Sequence, residues 1–463
     1  MHVSVHTLGC KLNQLETEAL SDAFSRLGFG APLDEESDLG GIILVNTCTV
    51  TSMADQKSRR LIRKLLTSQS RSCIIVTGCY AQLDGQDLLD LDSGKGPRRL
   101  FVVPLDQKDL LLDLPLFIKS SGSPADADLP DLIASFLSQA SPSRDPDSIK
   151  GSFRFRPRSF SSHSRGFLKI QDGCDRHCSY CRVRIARGKS RSLDPREALN
   201  ELKALEEGGL SEVVLTGVNI SQYRHGALGL PELLALLLEG TSTLGIRLSS
   251  IEPEAGGLSK GFLRVLAHPR LRPHVHLALQ SGSAPILERM GRPYGPADII
   301  KTLGQVRGLG RDPFMACDII AGFPGETEGE FIKTWDLLEA HDFAQIHAFP
   351  FSRRPGTAAC DFSGPVREGE ARARVDALMK LAQRGRQNYL DRWTGKEVDA
   401  VAEAAPGNNP RQLRGTSENY LKLQIIPSGP DLPSPGSPLR VRLEKAADKA
   451  PFDMLGVQIN SPL

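Results

Sequence analysis

The sequence predicts an α/β protein in three parts: an N-terminal parallel α/β sheet domain, a central partial (β/α)6 barrel and a small C-terminal β-barrel. Three observations predict it. Short apolar strands alternate with helical patterns over residues 1–118 and again over 161–393. Such alternation argues parallel sheets. The final stretch, 395–463, changes to short β-like runs separated by turn residues, which suits a small barrel.

In the first part the strands are HVSVHT, GIILVN, CIIVTG and RLFVV. Residues 119–160 are rich in Ser, Pro, Asp and Gly and read as a linker, with one apolar patch, DLIASFL, suggesting a helix. The central strands are GFLKIQ, EVVLTG, RLSSIE, HVHLALQ, MACDIIAG and AQIHAFPF, and a long helix runs from Arg367 to about Trp393. The C-terminal runs are EVDAVAE, YLKLQII, LRVRL and LGVQI.

The 463 residues are 40% hydrophobic, enough for sizeable cores, and 57 basic against 55 acidic side chains give no global charge argument for a polyanion. A local argument exists. Lys150 to Arg191 holds twelve Lys/Arg and two Asp/Glu, a block that would steer a polyanion or simply be solvated. Nine cysteines at irregular spacings do not read as a disulfide framework. With no signal-peptide pattern and no apolar run of about 18 residues, the expectation is a reducing cytoplasm and no membrane.

The central cysteines stand as CxxxCxxC: Cys174, Cys178 and Cys181, on the loop after the first barrel strand. Parallel α/β folds gather their chemistry at strand carboxyl ends. Three thiolates so close can hold three irons of a 4Fe–4S cube. The fourth iron stays open to the amine and carboxylate of S-adenosylmethionine, whose reductive cleavage yields a 5′-deoxyadenosyl radical. A zinc knuckle needs a fourth ligand, and His177 is awkwardly placed between two cysteines. Plain core thiols are the remaining reading.

Cys10, Cys48 and Cys79 are far apart in sequence, yet each closes a strand (VSVHTLGC, IILVNTC, IIVTGC). In a parallel sheet their thiols share one edge, with Gly9, Asn46, Thr47 and Gly78 leaving room for a bulky inorganic ligand. Three ordinary small residues at βα turns is the bland alternative. Beside a cluster motif, a second cluster is the better reading. Cys73, Cys317 and Cys360 read as structural.

Other candidates follow from position. Tyr180 can lie against an adenine. Gly217 in TGVN, Ser249, Glu252 and Gln280 stand at strand carboxyl ends, as cofactor contacts. Gly322 and Gly325 in GFPGET offer backbone amides. Arg353 and Arg354 can pair with a carboxylate or phosphate. Lys57, Arg59, Arg60, Arg63 and Lys64 give one helix a basic face, either solvated or set for RNA phosphates.

Over nearly its whole length the chain resembles the radical S-adenosylmethionine methylthiotransferases. TLGCKLNQLETE, NTCTVTSMADQKSRR and VTGCYAQ look like the family's N-terminal cluster segments, and KIQDGCDRHCSYC like its radical motif. LTGVNI, RLSSIEPE, LQSGS, DIIAGFPGETE and FPFSRRPGT follow in family order, and RGTSENYLKL resembles its RNA-contacting TRAM barrel. TLGCKLNQLE and NTCTVTSMADQKSR resemble the branch acting on N-6-threonylcarbamoyladenosine in tRNA. The isopentenyladenosine branch reads closer to TYGCQMN, and the ribosomal-protein branch closer to SLGCPKN. Arg182, Val183 and Arg184 replace the usual apolar pair and proline, and Ala278 stands where proline is usual.

The resemblance implies two 4Fe–4S clusters, a radical one on Cys174, Cys178 and Cys181 and an auxiliary one on Cys10, Cys48 and Cys79. S-adenosylmethionine would serve as methyl donor and radical source. The implied partners are the tRNA anticodon stem-loop and a low-potential donor such as flavodoxin or ferredoxin. The rivals are methylthiolation of isopentenyladenosine in tRNA or of a ribosomal protein, and, from another class, a non-catalytic RNA-binding iron–sulfur protein.

Overall fold

The computed structural model describes residues 1–30, 40–92, 98–122, 128–139, 151–158, 160, 164–404, 412–429, 431–447 and 450–459. The chain forms two compact units. The first comprises residues 1–161, 171–191 and 352–357; the second comprises 162–170, 192–351 and 358–463.

The first unit is built on a four-stranded parallel sheet of β1 (His2–Thr7), β2 (Gly41–Thr47), β3 (Ser72–Gly78) and β4 (Leu100–Val102), in that order. Every residue of β2 and β3 is buried, which is why both read as continuous apolar runs rather than alternating ones. Helix α1 (Lys11–Ser25) packs Leu12, Leu15, Ala19, Leu20 and Phe24 inward at helical spacing. Helix α2 (Ser52–Ser68) is started by Thr51, whose side chain accepts from the Ala54 amide at 3.1 Å. Helix α3 (Cys79–Leu83) begins directly at the end of β3.

The stretch read as a linker contributes core to this unit. Helix α4 (Leu129–Ser138) buries Leu129, Ile133 and Phe136 in the same cluster as Leu20, Phe24 and Leu111, and Phe155 joins them. The helix suggested by DLIASFL is present; what the polar surroundings concealed is that its apolar face is core rather than linker. The cysteine loop 171–191 and its helix α5 (Val183–Arg187) also pack with this unit, although chain order assigns them to the barrel.

The second unit holds six parallel strands. β5 (Gly166–Lys169), β6 (Glu212–Thr216) and β7 (Gly245–Leu248) form one three-stranded sheet in the order β7-β6-β5. β8 (His274–Gln280), β9 (Phe314–Ala321) and β10 (Gln345–Pro350) form another. An isolated parallel bridge between Ile251 and Leu277 joins the two into an open arc, a partial (β/α)6 barrel.

Helix α6 (Glu368–Trp393) leads to a closed barrel of β11 (Glu397–Glu403), β12 (Leu413–Ser417), β13 (Lys422–Ile426), β14 (Pro438–Ala446) and β15 (Met454–Gln458). Strand β12 was not among the sequence-read runs, because LRGTS carries no apolar alternation. This barrel shares its core with the arc: Phe314, Ala316, Tyr389 and Leu390 cluster with Val398, Leu423, Val441 and Met454. No helix among the described residues is long and apolar enough to cross a membrane.

Candidate functional site

Cys10 stands at the N-terminus of α1, Cys48 just beyond β2 and Cys79 at the start of α3. Parallel pairing of β1, β2 and β3 brings these ends to one edge. Two glycines permit the close approach. A Cβ on Gly9, whose φ is +103°, would lie 2.5 Å from the Cys48 Cβ and 2.8 Å from its Sγ. A Cβ on Gly78, also at +103°, would lie 2.3 Å from the Thr47 carbonyl oxygen. The space beside Gly9 is therefore filled by Cys48 itself rather than left open for a ligand.

The three thiols feel one another. Burial, and then the proximity of Cys79 and Cys10, push the Cys48 thiol up to about 12. Burial also raises Cys79, against the pull of Arg187. Among the described residues neither cysteine triad has all its donor atoms within 4.8 Å of one another. A single zinc would need a tighter set, since Zn–S bonds are about 2.3 Å. Thiolates around a four-iron cube stand about 6–7 Å apart.

Arg187, the last residue of α5, is 3% exposed and uses its whole fork. Its Nε donates to Cys79 Sγ at 3.3 Å. Nη1 donates to Glu16 Oε1 at 3.0 Å and to Asp172 Oδ1 at 3.1 Å, and Nη2 to Asn13 Oδ1 and Glu16 Oε2, both at 3.2 Å. Lys108 pairs with the same Glu16 and donates to Asn46 Oδ1 at 3.0 Å. Burial opposes the charge of Arg187, but Cys79, Glu16 and Asp172 hold its pKa well above the usual guanidinium value. Two cations thus face two carboxylates beside Cys79, and the network satisfies buried charge as it must.

Cys174, Cys178 and Cys181 are half-buried. The Cys174 amide donates to the Gly188 carbonyl at 3.0 Å, closing the loop at its base. The Arg176 and Val183 amides each lie 3.4 Å from a sulfur, of Cys174 and Cys181 respectively, donors suited to thiolates. His177 is exposed, and Tyr180 is half-buried beside Cys181.

The unusual residues after Cys181 have local partners. Arg182 forks onto Asp84 at 2.9 and 3.1 Å, and Arg184 donates to the Cys174 carbonyl at 3.0 Å. Arg354 is buried against Asp55 at 2.5 Å and Thr49 at 2.7 Å, so its carboxylate is internal; Arg353 is exposed. The Lys150–Arg191 block is in part an interior network: Arg182 and Arg187 are buried and Arg154 forks onto Asp113 at 2.8 and 2.9 Å, while Lys150 lies outside the described residues. On α2, Arg59 is held by Tyr80, whereas Lys57, Arg60, Arg63 and Lys64 are exposed.

In the second unit the named residues stand at strand carboxyl ends. Gly217 follows β6 and is half-buried. Ser249 is buried with a hydroxyl that has no hydrogen-bond partner among the described residues. Glu252 is buried and paired with Arg292 at 3.0 Å. Gln280 is held at φ +69°, unusual for a residue with a side chain. Gly322 and Gly325 form a plain turn: their amides are taken by Glu326 Oε2 at 2.6 Å and the Gly364 carbonyl at 2.7 Å.

Residues 168–338 match the family model of the Radical SAM superfamily, and residues 2–95 that of the uncharacterized protein family UPF0004. A threonylcarbamoyladenosine tRNA methylthiotransferase of Treponema pallidum is 39% identical, over 95% of this chain and 98% of its own. The chain belongs to the radical S-adenosylmethionine methylthiotransferases. A threonylcarbamoyladenosine tRNA methylthiotransferase of Thermotoga maritima is 34% identical over 92% of this chain and 91% of its own. A tRNA-2-methylthio-N(6)-dimethylallyladenosine synthase of Desulfosudis oleivorans is 33% identical over 82% and 78%. Membership brings S-adenosylmethionine and a 4Fe–4S cluster to this methylthiotransferase. The half-buried, amide-supported thiols of the CxxxCxxC loop fit such a cluster.

Sequence reasoning missed the Arg187 network. Its signal was present: Glu16 interrupts the apolar face of α1, and Asp172 and Arg187 flank the cysteine motif.

Proposed function

We propose that this methylthiotransferase replaces the hydrogen on carbon 2 of N-6-threonylcarbamoyladenosine, the tRNA base just 3′ of the anticodon (position 37), with a methylthio group. The observation that carries the reading is that both cysteine triads pack in one compact unit, tied through Arg187. Cys174, Cys178 and Cys181 would hold the radical 4Fe–4S cluster, and Cys10, Cys48 and Cys79 a second, sulfur-handling one. When bound, these groups and S-adenosylmethionine supply methyl, electron and radical chemistry, which a C–H bond without a leaving group requires.

The chain's own residues have distinct tasks in this reading. Arg187 steadies the Cys79 thiolate and links its position to the radical loop. Gly217, Ser249, Glu252 and Gln280 would contact S-adenosylmethionine, with the unpartnered Ser249 hydroxyl available for a polar contact; Tyr180 is an aromatic that can lie against an adenine. The exposed Lys57, Arg60, Arg63 and Lys64 would meet phosphates of the anticodon stem-loop, and the C-terminal barrel would act as a TRAM-like RNA grip. An anticodon loop is largely single-stranded, so presenting its base costs less than flipping one from a duplex. The electrons would come from a low-potential flavodoxin or ferredoxin, in the cytoplasm.

The relatives' names favour threonylcarbamoyladenosine over the dimethylallyl substrate. Mass spectrometry of tRNA nucleosides from a strain lacking the gene tests this. The 2-methylthio form of threonylcarbamoyladenosine should vanish, returning with the parent gene but not with Cys79→Ala. Loss of the 2-methylthio isopentenyl nucleoside instead would move the enzyme to the other branch.

A further inference from the structure

Three polar side chains interrupt three neighbouring strands of the arc: His276 on β8, Asp318 on β9 and His347 on β10. Asp318 and His347 are register partners, and His276 pairs with Ala316, two residues before Asp318. All three are half-buried, whereas Leu277, Cys317 and Ile346, the alternate positions, are fully buried. In a β/α arc the fully buried alternate face lies under the helices. The three side chains therefore share the inner face.

One donor atom from each of the three lies within 4.8 Å of the other two. The His276 Nε2 is 3.0 Å from Asp318 Oδ1, and the two imidazole rings are 5.2 Å apart and tilted by 32°. Yet His276 Nε2, shielded from solvent, makes no hydrogen bond among the described residues. Asp318 has no other ion pair among the described residues. A simple His–Asp pair would align donor and acceptor. Three donor atoms converging from three neighbouring strands are what ligands of a shared cation look like.

We propose that His276, Asp318 and His347 form a mononuclear site for a divalent first-row transition ion on the inner face of the arc. Two imidazoles and one carboxylate suit zinc or iron(II) and leave coordination positions open. Bonds of about 2.0–2.2 Å to such an ion require a tighter donor set than 4.8 Å, so the three side chains would close on the ion as it binds. The site uses none of the six cysteines and does not depend on the identity of the tRNA substrate.

Cobalt(II) is the probe, because its spectrum reports its ligands. Full-length protein with its iron–sulfur clusters assembled is titrated anaerobically, and bound cobalt is counted and examined by X-ray absorption. One cobalt per chain is expected, with nitrogen and oxygen scatterers, imidazole signatures and no sulfur shell. Asp318→Asn and His347→Gln should each weaken binding by more than the roughly 10–100-fold that loss of an outer hydrogen-bond partner costs, with cluster iron unchanged. If either variant fails to fold, the scatterers around cobalt in the parent protein decide alone. No bound cobalt, a sulfur shell, or unaltered affinity in folded variants would overturn the proposal.

Discussion

Arg187 Nε lies 3.3 Å from Cys79 Sγ, so a side chain from the radical-motif loop touches a thiol of the other triad. The same guanidinium is the counter-ion of buried Glu16 and Asp172. Arg187→Gln should therefore destabilise the protein by about 3–5 kcal/mol, the cost of stranding buried partner charges. It should also lower the reduction potential of the second cluster proposed for Cys10, Cys48 and Cys79, because an N–H···S donor favours the reduced state. Arg187→Lys should restore part of the stability but not the potential, as it keeps charge without the fork. Denaturant titration and potentiometric EPR check the two effects separately; an unshifted potential in folded Arg187→Gln would leave Arg187 a purely structural residue.

Iron content tests the two-triad reading. Reconstituted protein should hold about eight irons, and the combined Cys174→Ala, Cys178→Ala, Cys181→Ala variant about half. Gly9→Ala should also lose about half, this time from the other triad, because its Cβ would press on Cys48. Full retention of iron by the triple variant contradicts the assignment.

Alkali should act on Cys48 in the metal-free protein. Its thiol pKa is raised from 9.0 to about 12 on folding. A raised pKa contributes stability that is whole below pH 9 and lost as pH climbs toward 12. The urea midpoint should fall across that window, and Cys48→Ala should flatten the fall. Equal alkali sensitivity of parent and variant would show that another group is responsible.

Glu212 tests the second unit. It accepts from Arg247 at 2.7 and 3.0 Å and from Arg272 at 3.0 Å, and Arg247 also donates to the Ser417 carbonyl of the C-terminal barrel. Burial opposes its charge, but Arg247, and then Arg165 and Arg272, hold its carboxyl below the ordinary value. The stability it adds is present above that ordinary value and lost as pH falls below it. Glu212→Gln should cost about 3–5 kcal/mol at neutral pH, measured by denaturant unfolding. A loss under 1 kcal/mol would mean that the arginines find other partners.

The N-terminal sheet was legible because its fully buried parallel strands are long apolar words such as GIILVNT and SCIIVTG. Convergence of Cys10, Cys48 and Cys79 was readable from strand ends alone, since parallel pairing fixes the edge. Partnerships between distant charges were not: nothing local says that Arg187 meets Glu16, or that Arg354 meets Asp55. The C-terminal barrel read as a separable module, yet its core is continuous with Phe314 and Tyr389. Deleting residues 395–463 would therefore uncover core as well as remove the proposed RNA grip. Of the basic residues in that stretch, Arg440 and Arg442 are paired with Asp399 and Glu444, Arg414 donates to the Ala404 carbonyl, Lys422 is exposed, and Arg411 lies outside the described residues.

Methylthiolation of threonylcarbamoyladenosine in tRNA can be followed with purified components. Its most direct test incubates reconstituted, chemically reduced protein with S-adenosylmethionine and tRNA that carries threonylcarbamoyladenosine but lacks the 2-methylthio group. Nucleosides and small products are then analysed by mass spectrometry. The expected products are 2-methylthio-threonylcarbamoyladenosine together with 5′-deoxyadenosine, with no modified nucleoside formed by Cys10→Ala protein. Production of 5′-deoxyadenosine with the nucleoside unmodified, under conditions where isopentenylated tRNA or a ribosomal protein gains the methylthio group, would contradict it.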